Sequence, residues 1–204
     1  MQYLDEYLEG KDFSDQSVMV CGASVLLLND LYEAPQTNFS IACNHHTLIL
    51  KPDIVVALDL HTMPLLKQYR GLVCAKHEEA DVHIGLAPSF GFSGAAAVWL
   101  ADYMGFKEVI VAGFSCYLDE GRSYWHDGLA QTKPHINTTR EQQEIVWETL
   151  RTSLKNPGRI RVMSGFLQNI FKPWREHEHR EIDSEGEHRH REAMCHHGGR
   201  GEPS

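Results

Sequence analysis

Short, continuous apolar runs recur along most of the chain and alternate with segments of helical period. Ser17 to Val20, Phe39 to Cys43, Ile54 to Leu58, Leu72 to Ala75, Val82 to Leu86, Val109 to Ala112 and Arg159 to Met163 read as strands. Runs such as Val109-Ile110-Val111-Ala112 lack an apolar/polar alternation, as expected of strands covered on both faces. Between them, Val25 to Leu31, Met63 to Tyr69, Ala95 to Met104 and Thr138 to Leu154 read as helices. Strands alternating with helices predict an α/β, Rossmann-like domain: an open, mainly parallel sheet with helices on both faces.

The stretch Phe92 to Cys116 states this unit most clearly. Ser93 is placed to cap a helix, and Gly105 stands where a helix end favours a left-handed residue. The strand that follows ends in Gly113-Phe114-Ser115, on the edge beyond which ligands bind in open α/β sheets. Cys21-Gly22-Ala23-Ser24 forms a similar strand-to-helix turn, the geometry that holds phosphates on backbone N–H groups. One glycine alone is as compatible with an ordinary turn. Farther on, Thr138 and Glu141 have capping-box spacing, and Trp147, Leu150 and Leu154 share a helix face.

Polarity changes abruptly at both ends. Residues 1–16 are acidic and amphipathic, an N-terminal arm leading into a domain over 17–174. Residues 175–204 contain almost no apolar side chains and should form a disordered, charged, His-rich tail. That tail holds 5 of the 19 Lys and Arg and 8 of the 28 Asp and Glu, leaving 14 against 20 in the body. A body of that sign has no general phosphate-neutralising surface, so general nucleic-acid binding is not expected. No apolar run approaches the roughly 20 residues of a membrane span, and the acidic start is unlike a signal peptide. Five cysteines without paired spacing suit a reducing compartment. A cytoplasmic protein follows, with room for a homo-oligomer.

The candidate chemistry lies on the ligand edge and in the polar, aromatic segment from Tyr117 to Asn137. Arg122 offers a planar fork for phosphate, and Tyr124 and Trp125 offer rings that stack on a base or sugar or that anchor the segment. His126 and His135 can exchange protons near neutral pH, although a solvated loop histidine is the commoner case. Asp59 ends a strand on the ligand edge; with His61 it could hold a divalent ion, but helix capping is the plainer reading and no metal site is assigned. Cys21, Cys43 and Cys116 all stand at strand ends, which would bring their thiols near one another. The six tail histidines give weak zinc or nickel affinity or simply a solvated extension.

Several ordered pieces resemble one family: CGAS, IACN, KPDIVVALD, SGAAAVWLADYMGFKEVIVAGFSCY, SYWHDG and RVMSGFLQNIFKPW. They are similar to a Rossmann-like group that includes the bacterial sialyltransferases of glycosyltransferase family 42 and the 6-hydroxymethylpterin diphosphokinase-like proteins, with many phage-encoded members. The resemblance implies nucleotide binding by Gly22, Ser24, Asn44, Ser93 and Gly94, with Asp59, Gly113 and Ser115 on the same edge. It also implies a histidine base before the helix at Thr138, a relation that His135 has and His126 shares less closely. Two positions depart from the pattern: Cys21 replaces an Asn, and Ser115 stands where relatives carry Asp. The implied activity is a nucleotide-dependent transferase moving a sugar from a nucleotide sugar to a hydroxyl. The alternatives are magnesium-assisted diphosphate transfer from ATP and a non-catalytic nucleotide-binding or structural scaffold.

Overall fold

The computed structural model describes residues 1–44, 49–89, 91–115 and 140–175. Residues 1–174 form one compact unit. In chain order the strands are β1 (Gln2–Tyr3), β2 (Ser17–Cys21), β3 (Phe39–Cys43), β4 (Ile54–Ala57), β5 (Leu72–Ala75), β6 (Val82–His83), β7 (Glu108–Ala112), β8 (Ile160–Val162) and β9 (Lys172–Pro173). The helices are α1 (Leu4–Leu8), α2 (Leu27–Glu33), α3 (Met63–Leu66), α4 (Ser93–Met104) and α5 (Arg140–Ser153). All described strand pairs are parallel, in the order β1-β6-β5-β4-β3-β2-β7-β8-β9. The chain moves outward from β2 on one side and returns to its other side at β7. In open α/β sheets the carboxyl ends of the strands flanking such a reversal, here β2 and β7, are where ligands bind.

Alternate residues of each strand go to opposite faces, and the core divides accordingly. Val18, Val20, Ile41, Ile54, Val56, Val109 and Val111 pack with α4 and α5 in one large cluster. On the opposite face, Met19, Cys21, Ala42, Ile110 and Ala112 pack on Leu27 of α2, while Val55, Val73 and Ala75 pack on Met63 and Leu66 of α3.

Helix α4 is buried on nearly every side, and its alanines from Ala95 to Ala97 let it lie close to the sheet. Gly105 ends it at φ 85° in the left-handed conformation. Helix α5 covers α4 with Gln143, Trp147 and Leu150 buried, while Arg140–Glu144 and Glu148–Arg151 pairs lie outward. The buried Asp102 of α4 accepts the backbone N–H groups of Lys155 and Asn156 at 2.6 and 3.0 Å, tying down the turn after α5.

Some expected elements shift. The helix expected from Val25 starts at Leu27, because Ser24 is first held in a turn. Its N–H donates to Gly113 O, and its Oγ accepts from Leu26 N at 3.2 Å. The run to Leu86 gives only a two-residue strand, and the terminal segment from Phe166 forms a 3-10 turn (Phe166–Asn169) followed by β9. Gln2 and Tyr3 pair with Val82 and His83, so part of the amino-terminal segment joins the sheet. The expected capping position Thr138 lies outside the described residues. No helix among the described residues is long and apolar enough to cross a membrane.

Candidate functional site

Three loop starts meet at the carboxyl edge of β3 and β4. Asn44, immediately after β3, adopts φ 55°, a conformation that Asn tolerates better than most residues. Its N–H donates to Val56 O at 2.9 Å. Ser93, at the start of α4, donates its hydroxyl to Asn44 Oδ1 at 3.0 Å and accepts the N–H of Leu58 at 3.2 Å. The expected cap is therefore corrected: Phe92 occupies the capping position, and the Ser93 side chain bridges two strand ends instead. The bridge leaves the Asn44 side-chain N–H groups without a partner among the described residues. The first turn of α4 also carries no acidic residue, so its positive dipole end is not offset locally.

His77, which no sequence motif marks, extends this network. Its Nε2 lies 2.8 Å from the carbonyl of Leu58, which ties the loop after β5 to the loop after β4. The signal that could have found it is positional, since it stands just past the end of a strand on the ligand edge. Asp59, next to Leu58, is exposed, and its carboxylate makes no described hydrogen bond; only its backbone carbonyl caps the following turn through Thr62. His61 is likewise exposed, and no group of three metal-ligating side chains occurs among the described residues.

The crevice between β2 and β7 is built from backbone. Gly22 N donates to Ala112 O at 2.8 Å, and a Cβ on Gly22 would stand 2.3 Å from Gly113 O. Gly113 has φ 70°, and Leu27 of α2 lies against its Cα. Asp30, buried on α2, accepts the Gly113 N–H at 2.7 Å. Burial pushes the Asp30 carboxyl above its ordinary range, and the negative charge of Glu33 adds to this; Ser164 and Gly113 hold it back. The Ser164 hydroxyl sits beside the carboxylate without the geometry of a full hydrogen bond.

Phe114 then fills the space left by two glycines. Its ring would lie 2.3 Å from a Cβ on Gly94 and 3.0 Å from one on Gly22, and it packs edge-on against Trp147. Gly94 thus admits an aromatic ring from its own fold. Ser115 follows at 7% exposure, with a hydroxyl that has no described partner. A buried hydroxyl left so costs about 1–3 kcal/mol, which a ligand atom could recover.

The sequence candidates therefore fall into two sets. Asn44, Asp59 and Ser93 gather around the ends of β3 and β4, while Gly22, Ser24, Gly94, Gly113 and Ser115 form the floor and wall at β2 and β7. Ser24 is fully buried, with its hydroxyl spent on its own turn. His126, His135, Arg122, Tyr124 and Trp125 lie outside the described residues. Of the expected gathering of thiols, Cys21 and Cys43 stand on adjacent strands, near enough for one to raise the other's pKa, although they belong to clusters on opposite sheet faces; Cys116 lies outside the described residues. Burial pushes the Cys21 thiol up to about 12, far from the reactive thiolate range.

No model of a known protein family matches the sequence, and no curated protein matches it. Among solved structures, the fold is similar to the sialyltransferase CstII from Campylobacter jejuni in complex with the substrate analogue cytidine-5'-monophosphate. That likeness has a TM-score of 0.54 at 17% identity and covers 78% of this chain and 84% of that chain. A second structure of CstII, in complex with CMP-3FNeuAc, gives a TM-score of 0.52 at 14% identity over 78% and 86% of the two chains. The shared property is the fold.

Proposed function

We propose that this chain is a nucleotide-dependent transferase that moves a sugar from a nucleotide sugar to a hydroxyl acceptor. The observation that carries the reading is the Ser93 bridge. It joins α4, Asn44 and Leu58 at the carboxyl edge, beside an N-terminal helix turn free of acidic side chains. A phosphate at that helix end would meet unspent backbone N–H groups. The side-chain N–H groups of Asn44 and the carboxylate of Asp59 are available for the base or ribose, and the Ser115 hydroxyl for a polar group entering the crevice. His135 or His126 would take the proton from the acceptor, and Arg122, Tyr124 and Trp125 would hold phosphate and sugar. Because the CstII structures contain cytidine nucleotides, these come first in any ligand panel.

Diphosphate transfer from ATP uses the same edge but calls for magnesium and carboxylates around it. Ser115, in place of an acid, favours the sugar-transfer reading over that one. It also favours a scaffold that binds nucleotide without chemistry, and turnover of a nucleotide sugar separates those two.

The deciding experiment is thermal melting with cytidine monophosphate, cytidine and uridine nucleotide sugars and ATP, each with and without magnesium. A ligand at about 100 times its Kd adds about 2.7 kcal/mol to stability. Ser93→Ala and Asn44→Ala should abolish that gain while costing the unliganded protein only about 1 kcal/mol each. If no nucleotide raises the melting temperature at millimolar concentration, the proposal is wrong.

A further inference from the structure

At the amino-terminal ends of β2, β7 and β8, the edge opposite the crevice, lies a groove of about 420 Å³. Its lining includes Lys107, Arg159 and Arg161, together with Asn38, Asp15 and Glu108. In a chain of net charge -9, three cations around one hollow would ordinarily be paired with acids. Among the described residues, none of the three has a carboxylate within ion-pair distance, although two acids line the same hollow.

The arginines are held by backbone instead. Arg159 Nη1 donates to the carbonyls of Phe106 and Gly105 at 3.3 and 3.5 Å. Arg161 Nη1 donates to Gly158 and Ile160 at 2.7 and 3.1 Å. Carbonyls orient a guanidinium without cancelling its charge, and one occupied nitrogen leaves the other donors of each fork unspent. Much of the side-chain ordering that binding would otherwise require is thus already in place. Asn38 adds a neutral donor, since its Oδ1 accepts from Ser17 and its Nδ2 has no partner among the described residues.

We propose that this groove binds a phosphate dianion, free or as the terminal group of a small sugar phosphate. Arginine forks and a lysine point charge suit a tetrahedral, doubly charged oxyanion. The two carboxylates leave only one net positive charge in the lining, which fits a compact anion and not a polyanion such as nucleic acid. The volume holds more than a phosphate, so the group is either the free ion or the head of a small sugar phosphate. The site is separate from the nucleotide edge and stands or falls independently of it.

Isothermal titration of the full chain at low ionic strength, where charge screening is weakest, provides the test. The probes are inorganic phosphate, ribose 5-phosphate, ribose and acetate. Arg161→Gln should weaken phosphate binding about tenfold, equivalent to about 1.4 kcal/mol. Glu108→Gln should tighten it about threefold by removing a like charge. That gain cannot be imitated by a damaged fold. Ser93→Ala should leave it unchanged. Ribose 5-phosphate binding above phosphate, with ribose silent, identifies a sugar phosphate; equal binding identifies the free ion. The proposal is overturned if neither phosphate binds below about 10 mM, if acetate binds as well as phosphate, or if Glu108→Gln weakens binding. Loss on Ser93→Ala without loss on Arg161→Gln would move the anion to the other edge and equally overturn it.

Discussion

On the face under α4 and α5, the strands present Val18, Val20, Ile41, Ile54, Val56, Val109 and Val111 to one continuous core. On the face under α2 and α3, they present smaller groups: Cys21, Ala42, Ala57, Ala75 and Ala112 stand beside Met19, Val55, Val73 and Ile110. That second core is split in two, each half under a helix of at most seven residues. The long buried helix lies across β2, β3, β4 and β7, whereas the short helices cover less of the sheet and are also held by turns and polar bonds. Stability is concentrated on one face, while the geometry of the crevice is adjusted from the other, by Leu27 and Asp30 of α2 pressing on and bonding to Gly113.

Paired truncations of two equally buried isoleucines probe this difference most strongly. Ile41 and Ile110 are both fully buried, on opposite faces. Ile41→Ala should cost about 4 kcal/mol in urea unfolding, and Ile110→Ala about 2, since a small cluster under a short helix collapses more readily into the cavity. Equal losses would mean that the two faces are packed alike.

A smaller effect is expected at the crevice. Gly22→Ala places a methyl group 2.3 Å from the Gly113 carbonyl, so the β7 turn must move. It should lower stability by about 1–3 kcal/mol, the range of overpacking. It should also weaken nucleotide binding, whereas Ile41→Ala should leave that affinity intact in the folded fraction.

The smallest effect concerns Asp30 and appears as a pH dependence. Its folded carboxyl ionises above the ordinary value of 3.8, chiefly because it is buried. The unfolded chain therefore releases this proton first. The group's stabilising share is complete below the ordinary value and is lost as pH rises through the folded one. Asp30→Asn keeps an acceptor for Gly113 but removes the titration. Its melting temperature should therefore fall less than that of the unaltered protein as pH rises above the ordinary carboxyl value of 3.8. An unchanged slope would show that Asp30 carries no such cost.

The strands were legible where both faces are covered. Phe39–Cys43 and Leu72–Ala75 fall where their apolar runs place them. Gln2–Tyr3 and Lys172–Pro173 were not foreseen as strands, because two-residue edge pairings leave no hydrophobic period to read. Ser93 was legible as important but not in what it does. A serine before a helix can cap it or leave it, and the choice here is made by Asn44 and Leu58, 49 and 35 residues away. His77 was hidden for the same reason, its partner Leu58 being 19 residues away. The basic groove was invisible because strand order, which the sequence does not spell out, brings Lys107, Arg159 and Arg161 together.

The same two-residue edges determine how this sheet can meet another chain. Among the described residues, each open flank offers a pair of residues for strand pairing, and one of those flanks carries Lys172 and Pro173. Proline has no N–H to donate, and a lysine would have to be desolvated by an incoming strand. Among the described residues, these edges give an added strand little template, so pairing of copies edge to edge is disfavoured there.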